Sequence, residues 1–227
     1  MHVRNIFLPV NLPDFAKLPP GITKDGIFYI LRRILSCKEK DLRENGLVPI
    51  SGELMNLHIH DYKKTLNYLF DEGIIVRDGT FTVGKKCMAY AFTEQYRDAV
   101  EFKCEEYEHD KRKKKPIDAK VQKQLPHLSK WLDALRYDCK AAESSLLQEY
   151  EIKVALIKEK KLLPTLEREE IKTINKKYMR LLNVASSFAD QEFSRKLDKH
   201  GRLHSSVPLM NREILNLKTF FQLSIMI

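Results

Sequence analysis

Two lysines and an asparagine stand on the polar side of a short amphipathic segment. Its apolar side chains recur at helical spacing: Tyr62, Leu66, Leu69 and Phe70. With that stripe buried, Lys63, Lys64 and Asn67 face outward, and Thr65 and Asp71 lie at the margins. Lysine neutralises phosphate, and asparagine can make two hydrogen bonds to an adenine edge. The spacing therefore predicts a helix that contacts nucleic acid.

Short strands are expected directly after this helix. Gly73 is suited to the position beyond a helix end, where a left-handed conformation is common. Residues rich in β-forming side chains then flank Asp78-Gly79, a dipeptide typical of two-residue hairpin turns. A further turn carries Lys85 and Lys86 and leads into a third strand. The sequence thus predicts a small meander with a basic turn, which would touch the nucleic-acid backbone.

Two more helices are predicted before this segment. Thr23, Ser51 and Asp61 are candidate N-caps of three successive helices. In the first helix the apolar positions form one face: Ile27, Ile30, Leu31 and Ile34. Asn45-Gly46 marks a turn between the first two helices. The order of helix, short helix, helix and strands is that of a winged helix-turn-helix, preceded by an extended arm with one strand at Asn5 to Val10.

The second half of the chain is dominated by helical periodicity. Between residues 118 and 197 apolar side chains recur at three- and four-residue steps, with a break at Leu163-Pro164. We expect two long helices packed as an antiparallel hairpin, followed by a loop at 198–208 and a further helix in the tail. The predicted fold class is α+β, with a winged-helix-like domain at 1–109, a basic linker at 110–117 and the helical hairpin with its tail at 118–227.

Composition narrows the class of partner. The 227 residues carry a formal net charge of +9, and 43% of them are hydrophobic, enough for a packed core. A basic excess favours a polyanionic partner, with nucleic acid first and an anionic membrane surface second. The winged-helix order makes double-stranded DNA the expected nucleic acid. The sequence contains no run of about 18 apolar residues, so it predicts no membrane span. The four cysteines are widely spaced without a CxxC pair, which favours reduced thiols in a cytoplasmic protein.

No residue pattern completes a catalytic or metal site. His58 and His60 are two residues apart but have no accompanying cysteine pair or HExxH motif. The adjacent carboxylates of Glu105-Glu106 and Glu169-Glu170 point in different directions on a helix, so neither pair forms an acid–base couple. No phosphate-binding loop or GxSxG motif occurs. We expect no catalytic residues, no metal and no cofactor in this chain.

Gly201-Arg202-Leu203-His204-Ser205 is the most specific short motif. It resembles the Thr-Gly-Arg-Leu-Ser-Ser stretch of family A polymerases, which follows a long antiparallel helix pair in that family. Similar segments occur in large plasmid and phage proteins that resemble polymerases. The resemblance covers about five residues tightly, and it implies that Arg202 contacts the template or primer backbone. The family's metal-binding aspartate is missing after Ser205, where Glu213 is the remaining carboxylate, so we expect no polymerisation by this chain.

Three functions stay open from the sequence. The first is a nucleic-acid-binding protein of a mobile element, linked to replication, which contacts its target through the six residues Lys63, Lys64, Asn67, Lys85, Lys86 and Arg202. The second is a non-catalytic or incomplete fragment of a polymerase-like nucleotidyl transferase. The third is an interaction protein that forms a homodimer through its helical half, with Leu135 and Leu181 at the contact. For the basic run Lys111 to Lys115, a linker with incidental phosphate contacts is favoured over a targeting patch.

Overall fold

The computed structural model describes residues 2–37, 42, 44–79, 87–109, 127, 135–187, 195–197, 203–205 and 221–223. Within them the architecture is mixed α+β, as the sequence predicts. The elements follow in this order: β1 (His2–Pro9), α1 (Lys24–Leu35), β2 (Val48–Pro49), α2 (Gly52–His58), α3 (Tyr62–Asp71), β3 (Ile75–Arg77), β4 (Ala89–Phe92), α4 (Glu94–Arg97), β5 (Phe102–His109), β6 (Leu135–Tyr137), α5 (Cys139–Glu159), α6 (Pro164–Ser186), β7 (Arg195–Leu197), β8 (Leu203–Ser205) and β9 (Phe221–Leu223). No helix in these residues has the length and apolar character needed to cross a membrane.

Helix α1 begins and packs as its sequence predicts. The Thr23 hydroxyl accepts a hydrogen bond from the backbone N–H of Gly26 at 3.1 Å, which satisfies one of the free donors of the first turn. The predicted apolar face is buried in full: Ile27, Ile30, Leu31 and Ile34. This face forms one core together with Leu66 and Leu69 of α3.

Strands β2, β3 and β4 form a three-stranded antiparallel sheet in the order β2-β4-β3. Arg77 of β3 lies opposite Tyr90 of β4, and Asp78 closes the pair by accepting a hydrogen bond from the Ala89 N–H at 2.8 Å. The predicted meander placed residues 80–83 between these two strands, which is wrong because β3 and β4 are direct neighbours. Residues 80–86 themselves lie outside the described part of the chain.

The C-terminus of α3 ends as predicted, whereas its N-terminus does not begin as predicted. At its C-terminus Gly73 has φ 65°, and the N–H of Ile74 donates to the Leu69 carbonyl at 2.9 Å, which confirms the predicted glycine stop. At its N-terminus the prediction of a side-chain cap is wrong, because Asp61 makes no cap hydrogen bond. Its carboxylate lies 3.4 Å from the ammonium of Lys64 instead.

Strands β1 and β5 pair over eight residues and form a central antiparallel ribbon. The predicted strand in the N-terminal arm is therefore confirmed, although it begins earlier than Asn5. Its side chains alternate between two cores, as strand geometry requires. Ile6 and Leu8 belong to the core with α1, whereas Phe7 belongs to the core with α5 and α6. The ribbon is thus shared by both halves of the molecule.

Helices α5 and α6 are the predicted antiparallel pair, with Pro164 in the first turn of the second helix. The helical region predicted at 118–197 is too long, however, because Leu135–Tyr137 and Arg195–Leu197 are strands. The Asp138 carboxylate accepts a hydrogen bond from the Ala141 N–H at 2.9 Å, and this cap starts α5 only at Cys139. The tail was also predicted wrongly as a helix, since Phe221–Leu223 is a strand paired with β6.

Direct contacts join the regions predicted as two domains. The Asn183 side chain on α6 donates to the Phe7 carbonyl at 2.8 Å and accepts from the Phe7 N–H at 3.1 Å. The Ser186 hydroxyl donates to the carbonyl of Asn5. By bonding both backbone groups of Phe7, the Asn183 side chain satisfies them as a neighbouring strand would. The predicted linker at 110–117, including the basic run Lys111 to Lys115, lies outside the described residues.

Candidate nucleic-acid interface

The outward face of α3 carries the residues that the sequence selects. Lys63, Lys64 and Asn67 are exposed, whereas Leu66 and Leu69 are buried against α1. Because a helix buries only one arc of its surface, these three polar side chains project away from the core. Their exposure is as predicted, and the three residues form one polar side of α3.

Two side chains at the margins of α3 lie opposite to their predicted positions. Thr65 is buried with 1% of its surface exposed, although it was placed on the outer margin. Phe70 is 38% exposed, although it was placed in the core. The small Thr65 fits close to α1, and the buried arc is therefore centred on Leu66 and Leu69 rather than on Leu66 and Phe70.

Arg77 of β3 is a member of this surface that sequence reasoning missed. Its guanidinium lies 4.2 Å from the centre of the Phe70 ring, and its Nη1 donates to Oδ1 of Asn67 at 3.2 Å. Cation–π contact and hydrogen bond together fix an arginine beside the two outward lysines. The signal in the sequence was the polar end of an otherwise apolar strand, next to a helix already considered basic. We refer to Lys63, Lys64, Asn67, Phe70 and Arg77 as the α3 face.

The contacts within the α3 face decide what it can bind. Lys64 is partly neutralised by Asp61 at 3.4 Å, whereas Lys63 has no carboxylate within ion-pair distance in the described residues. The carbonyl oxygen of Asn67 is already engaged by Arg77, so a two-bond contact to adenine requires that hydrogen bond to open. Lys63 and Arg77 are consequently the cations best placed to meet phosphate oxygens.

Three of the predicted contact residues cannot be placed. Lys85, Lys86 and Arg202 lie outside the described residues. Their neighbourhoods are described in part, because β3 and β4 flank the basic turn and Leu203–Ser205 pairs with Arg195–Leu197. The motif that resembles family A polymerases therefore ends in one strand of a two-stranded antiparallel sheet.

The positive charge of the chain is unevenly distributed. Residues 1–109 contain 15 lysines and arginines against 16 aspartates and glutamates, whereas residues 110–227 contain 25 against 15. The region that carries the α3 face is thus close to neutral, and the basic excess belongs to the second half. Long-range attraction of a polyanion, which depends on the summed charge, must arise mainly there.

A row of cations on α6 supplies part of this excess. Lys172, Lys176 and Arg180 follow one another at four-residue steps, and residues 171–187 contain no aspartate or glutamate. They lie at the edge of the buried side of α6, because Met179 and Asn183, three and seven residues after Lys176, are buried and Lys172 and Arg180 are half-buried. Lys172 is paired with Glu169 at 2.6 Å, while Lys176 is exposed. We refer to these three residues as the α6 face, which the sequence analysis did not predict as a contact surface.

A buried polar cluster between β1 and α5 offers no nucleophile. The Glu143 carboxylate accepts hydrogen bonds from the Asn5 amide at 2.7 Å and from the Cys139 thiol at 3.2 Å. Burial is the main cause that raises the pKa of both Glu143 and Cys139 above their usual values. A thiol with a raised pKa is a poor nucleophile near neutral pH. The described residues also contain no group of three His, Cys, Asp or Glu side chains able to hold a metal ion.

Similarity to known proteins adds nothing to this geometry. No protein-family model, no curated protein and no solved structure matches the chain. The relationship to family A polymerases stays a prediction from the five residues Gly201 to Ser205, and function has to be inferred from the surfaces of this molecule.

Proposed function

We propose that the chain binds double-stranded DNA through the α3 face. The observation that carries the proposal is the position of α3 in the fold. Helices α2 and α3 are joined by only three residues, and α3 leads directly into the β3–β4 pair, with β2 as the third strand. This order and pairing is typical of a winged helix, in which the last helix enters the major groove.

The chemistry of the α3 face suits this role. Lys63 and Arg77 can neutralise phosphates on either side of the groove, and arginine can also bond a guanine edge. Asn67 can bond a base edge once its contact with Arg77 opens. Protein–DNA interfaces of this kind combine positioning by phosphate contacts with a small number of base contacts.

The α6 face supports the same partner by a different mechanism. Its cations recur once per helical turn, with one carboxylate, that of Glu169, paired to Lys172, and phosphate groups also recur regularly along a nucleic-acid strand. Contacts of this type are independent of base sequence. We infer that the α6 face contributes affinity, whereas the α3 face contributes orientation and selectivity.

Charge reversal separates the two contributions. Fluorescence anisotropy with a labelled duplex would compare three full-length variants with the same change in net charge. These are Lys63→Glu with Lys64→Glu on the α3 face, Lys172→Glu with Lys176→Glu on the α6 face, and the control Lys17→Glu with Lys140→Glu. The control residues are exposed and belong to neither face.

We expect each of the first two variants to lose affinity by about tenfold or more. The slope of the logarithm of the association constant against the logarithm of the salt concentration should also become shallower, by the equivalent of about two released counterions. The control should stay within about twofold of the wild type. Equal losses in all three variants would mean that only net charge matters and that neither face is a site. An unchanged affinity in the Lys63 and Lys64 variant would contradict the role of α3.

A further inference from the structure

The end of the helical hairpin exposes an unusual amount of apolar surface. Ile152 and Leu156 on α5 are 60% and 53% exposed, and Leu163 and Leu166 at the start of α6 are 68% and 54% exposed. Elsewhere in the described residues the large exposed apolar side chains are Val3, Val10, Phe70 and Val76. Four such side chains within residues 152–166 mark an interaction surface more often than isolated exposed residues do.

The packing of the hairpin explains why these side chains stay uncovered. Ile157 and Leu146 of α5 are both buried, and they lie about three turns apart on the same side of the helix. Ile152 and Leu156 are one turn apart on a different side of α5, so they cannot reach the same core. The helix pair therefore buries one apolar stripe of α5 inside the molecule and leaves a second one outside.

The end of the hairpin is held in a defined shape. The ammonium of Lys160 lies 3.0 Å from the carboxylate of Glu170, which ties the connection to the second turn of α6. The Glu167 N–H donates to the Leu163 carbonyl at 3.0 Å and starts α6 at that position. A patch on such a fixed frame loses little conformational entropy when it is covered.

Charge indicates what covers the patch. Residues 151–170, the hairpin tip, contain five lysines and arginines and five aspartates and glutamates, so the tip is neutral on a chain of net charge +9. Two copies of the chain repel each other through their basic second half, but not at the tip. Within the tip Lys160 pairs with Glu170, and Glu169 pairs with Lys172 of the α6 face. Lys158 and Lys161 at the end of α5 and Glu167 at the start of α6 make no ion pair within the described residues. A two-fold arrangement can place these two lysines of one copy opposite Glu167 of the other.

We propose that the hairpin tip binds the tip of a second copy and forms a two-fold symmetric homodimer. In such a contact the same patch is used by both copies, so its charges must complement themselves, as those of the tip do. An anionic membrane surface would instead require a net positive rim. The proposal is independent of DNA binding and uses none of the residues of the α3 or α6 face.

The apolar patch is small, so we expect the dimer to be weak. Four apolar side chains cover less area than a stable dimer buries, so we expect a dissociation constant on the order of tens of micromolar. Sedimentation velocity of the full chain over a range of concentrations should show a reversible monomer–dimer equilibrium. Because apolar burial drives it, raised salt should leave the dimer intact while it weakens DNA binding.

A matched pair of variants locates the contact. Leu156→Glu with Leu166→Glu should give a monomer at every concentration, with the helical circular dichroism of the wild type. Val3→Glu with Val10→Glu adds the same charges at exposed apolar positions outside the tip, and it should still dimerise. A wild type that is monomeric throughout, or a dimer that survives the Leu156 and Leu166 changes, would overturn the proposal.

Photo-crosslinking keeps the test decisive if the double variant fails to fold. A photoreactive phenylalanine analogue at Leu163 should crosslink to a second copy of the chain, whereas the same group at Val10 should not. Crosslinking at Leu163 only to residues of its own chain would mean that another part of the protein covers the patch, and it would overturn the proposal equally.

Discussion

Asn183 shows how a single side chain can join distant parts of this molecule. Its amide bonds both the N–H and the carbonyl of Phe7, at a separation of 176 residues, and it is completely buried. A buried amide with all partners in place stabilises one arrangement of strand and helix over others. Nothing in the local sequence marks this residue, because an asparagine within a helical stripe is normally read as a surface residue.

Replacement of Asn183 by alanine should destabilise the chain strongly. Two buried backbone groups of Phe7 would lose their partners, and we expect the free energy of unfolding to fall by about 3 kcal/mol. Urea denaturation followed by circular dichroism measures this. Asn67→Ala on the exposed α3 face is the control and should change stability by less than about 0.5 kcal/mol. If both changes lowered the free energy of unfolding by a similar amount, the contacts with Phe7 would contribute nothing to stability.

Glu143 gives the molecule a pH dependence with a defined sign. Burial raises the pKa of this carboxyl, so its ionised form is less favourable in the folded than in the unfolded chain. The wild type therefore loses stability from this group as pH rises through the raised pKa. Glu143→Gln lacks this titration, so its melting temperature relative to wild type should increase from pH 4 to pH 8. A difference that is constant over this range, or that decreases, would be inconsistent with a raised pKa.

The helices are the elements that the sequence predicts best. Apolar residues at helical spacing located α1, α3, α5 and α6, because each of these helices buries one stripe whose period is visible in the local sequence. Strand pairing could not be predicted in the same way. β1 pairs with β5 across the whole N-terminal region, and β2 joins β4 rather than a neighbour in sequence. Such pairings depend on tertiary packing, which a local pattern does not contain.

In the α3 face, too, the features visible in the local sequence were predicted and those that depend on tertiary packing were not. The outward lysines of α3 were predicted because exposure on a helix is periodic. Arg77 was missed because its role depends on contacts with Phe70 and Asn67 on another element. The four-residue spacing of the α6 cations is visible in the sequence, but it coincides with an apolar stripe that predicts the helix without them.

The glycine that ends α3 tests how firmly this element is held. Gly73 has φ 65°, a left-handed conformation that a side chain disfavours, so Gly73→Ala should cost about 1–2 kcal/mol of stability. Gly79→Ala is the matched control, because an added methyl group there meets open space and its φ is not left-handed. Thermal denaturation of the two variants compares them directly. If Gly79→Ala were the more damaging change, the account of the α3 terminus would be wrong.

At the scale of the whole molecule, the central ribbon decides how the two halves behave. Ile6 and Leu8 face the core with α1, and Phe7 faces the core with α5 and α6. Both cores thus depend on the same strand, although the sequence suggested two regions separated by a basic linker. A shared element of this kind couples the stability of the regions on its two sides.

Replacement of Phe7 should reveal this coupling. Phe7→Ala leaves a cavity beside α6, and we expect a loss of about 4 kcal/mol in the free energy of unfolding. Hydrogen exchange in increasing urea should show α1 and α6 losing protection together, in the wild type and in the variant. Loss of protection in α6 alone, with α1 unaffected, would indicate that the two halves unfold independently.

The central claim is that this chain binds DNA, and the salt dependence of binding tests it most directly. The affinity of the full-length protein for a duplex would be measured at several salt concentrations. We predict that the logarithm of the association constant falls linearly with the logarithm of the salt concentration, with a slope steeper than about −3, because at least four phosphates are neutralised by the two faces. Absence of binding at low salt, or an affinity that salt does not change, would contradict the claim.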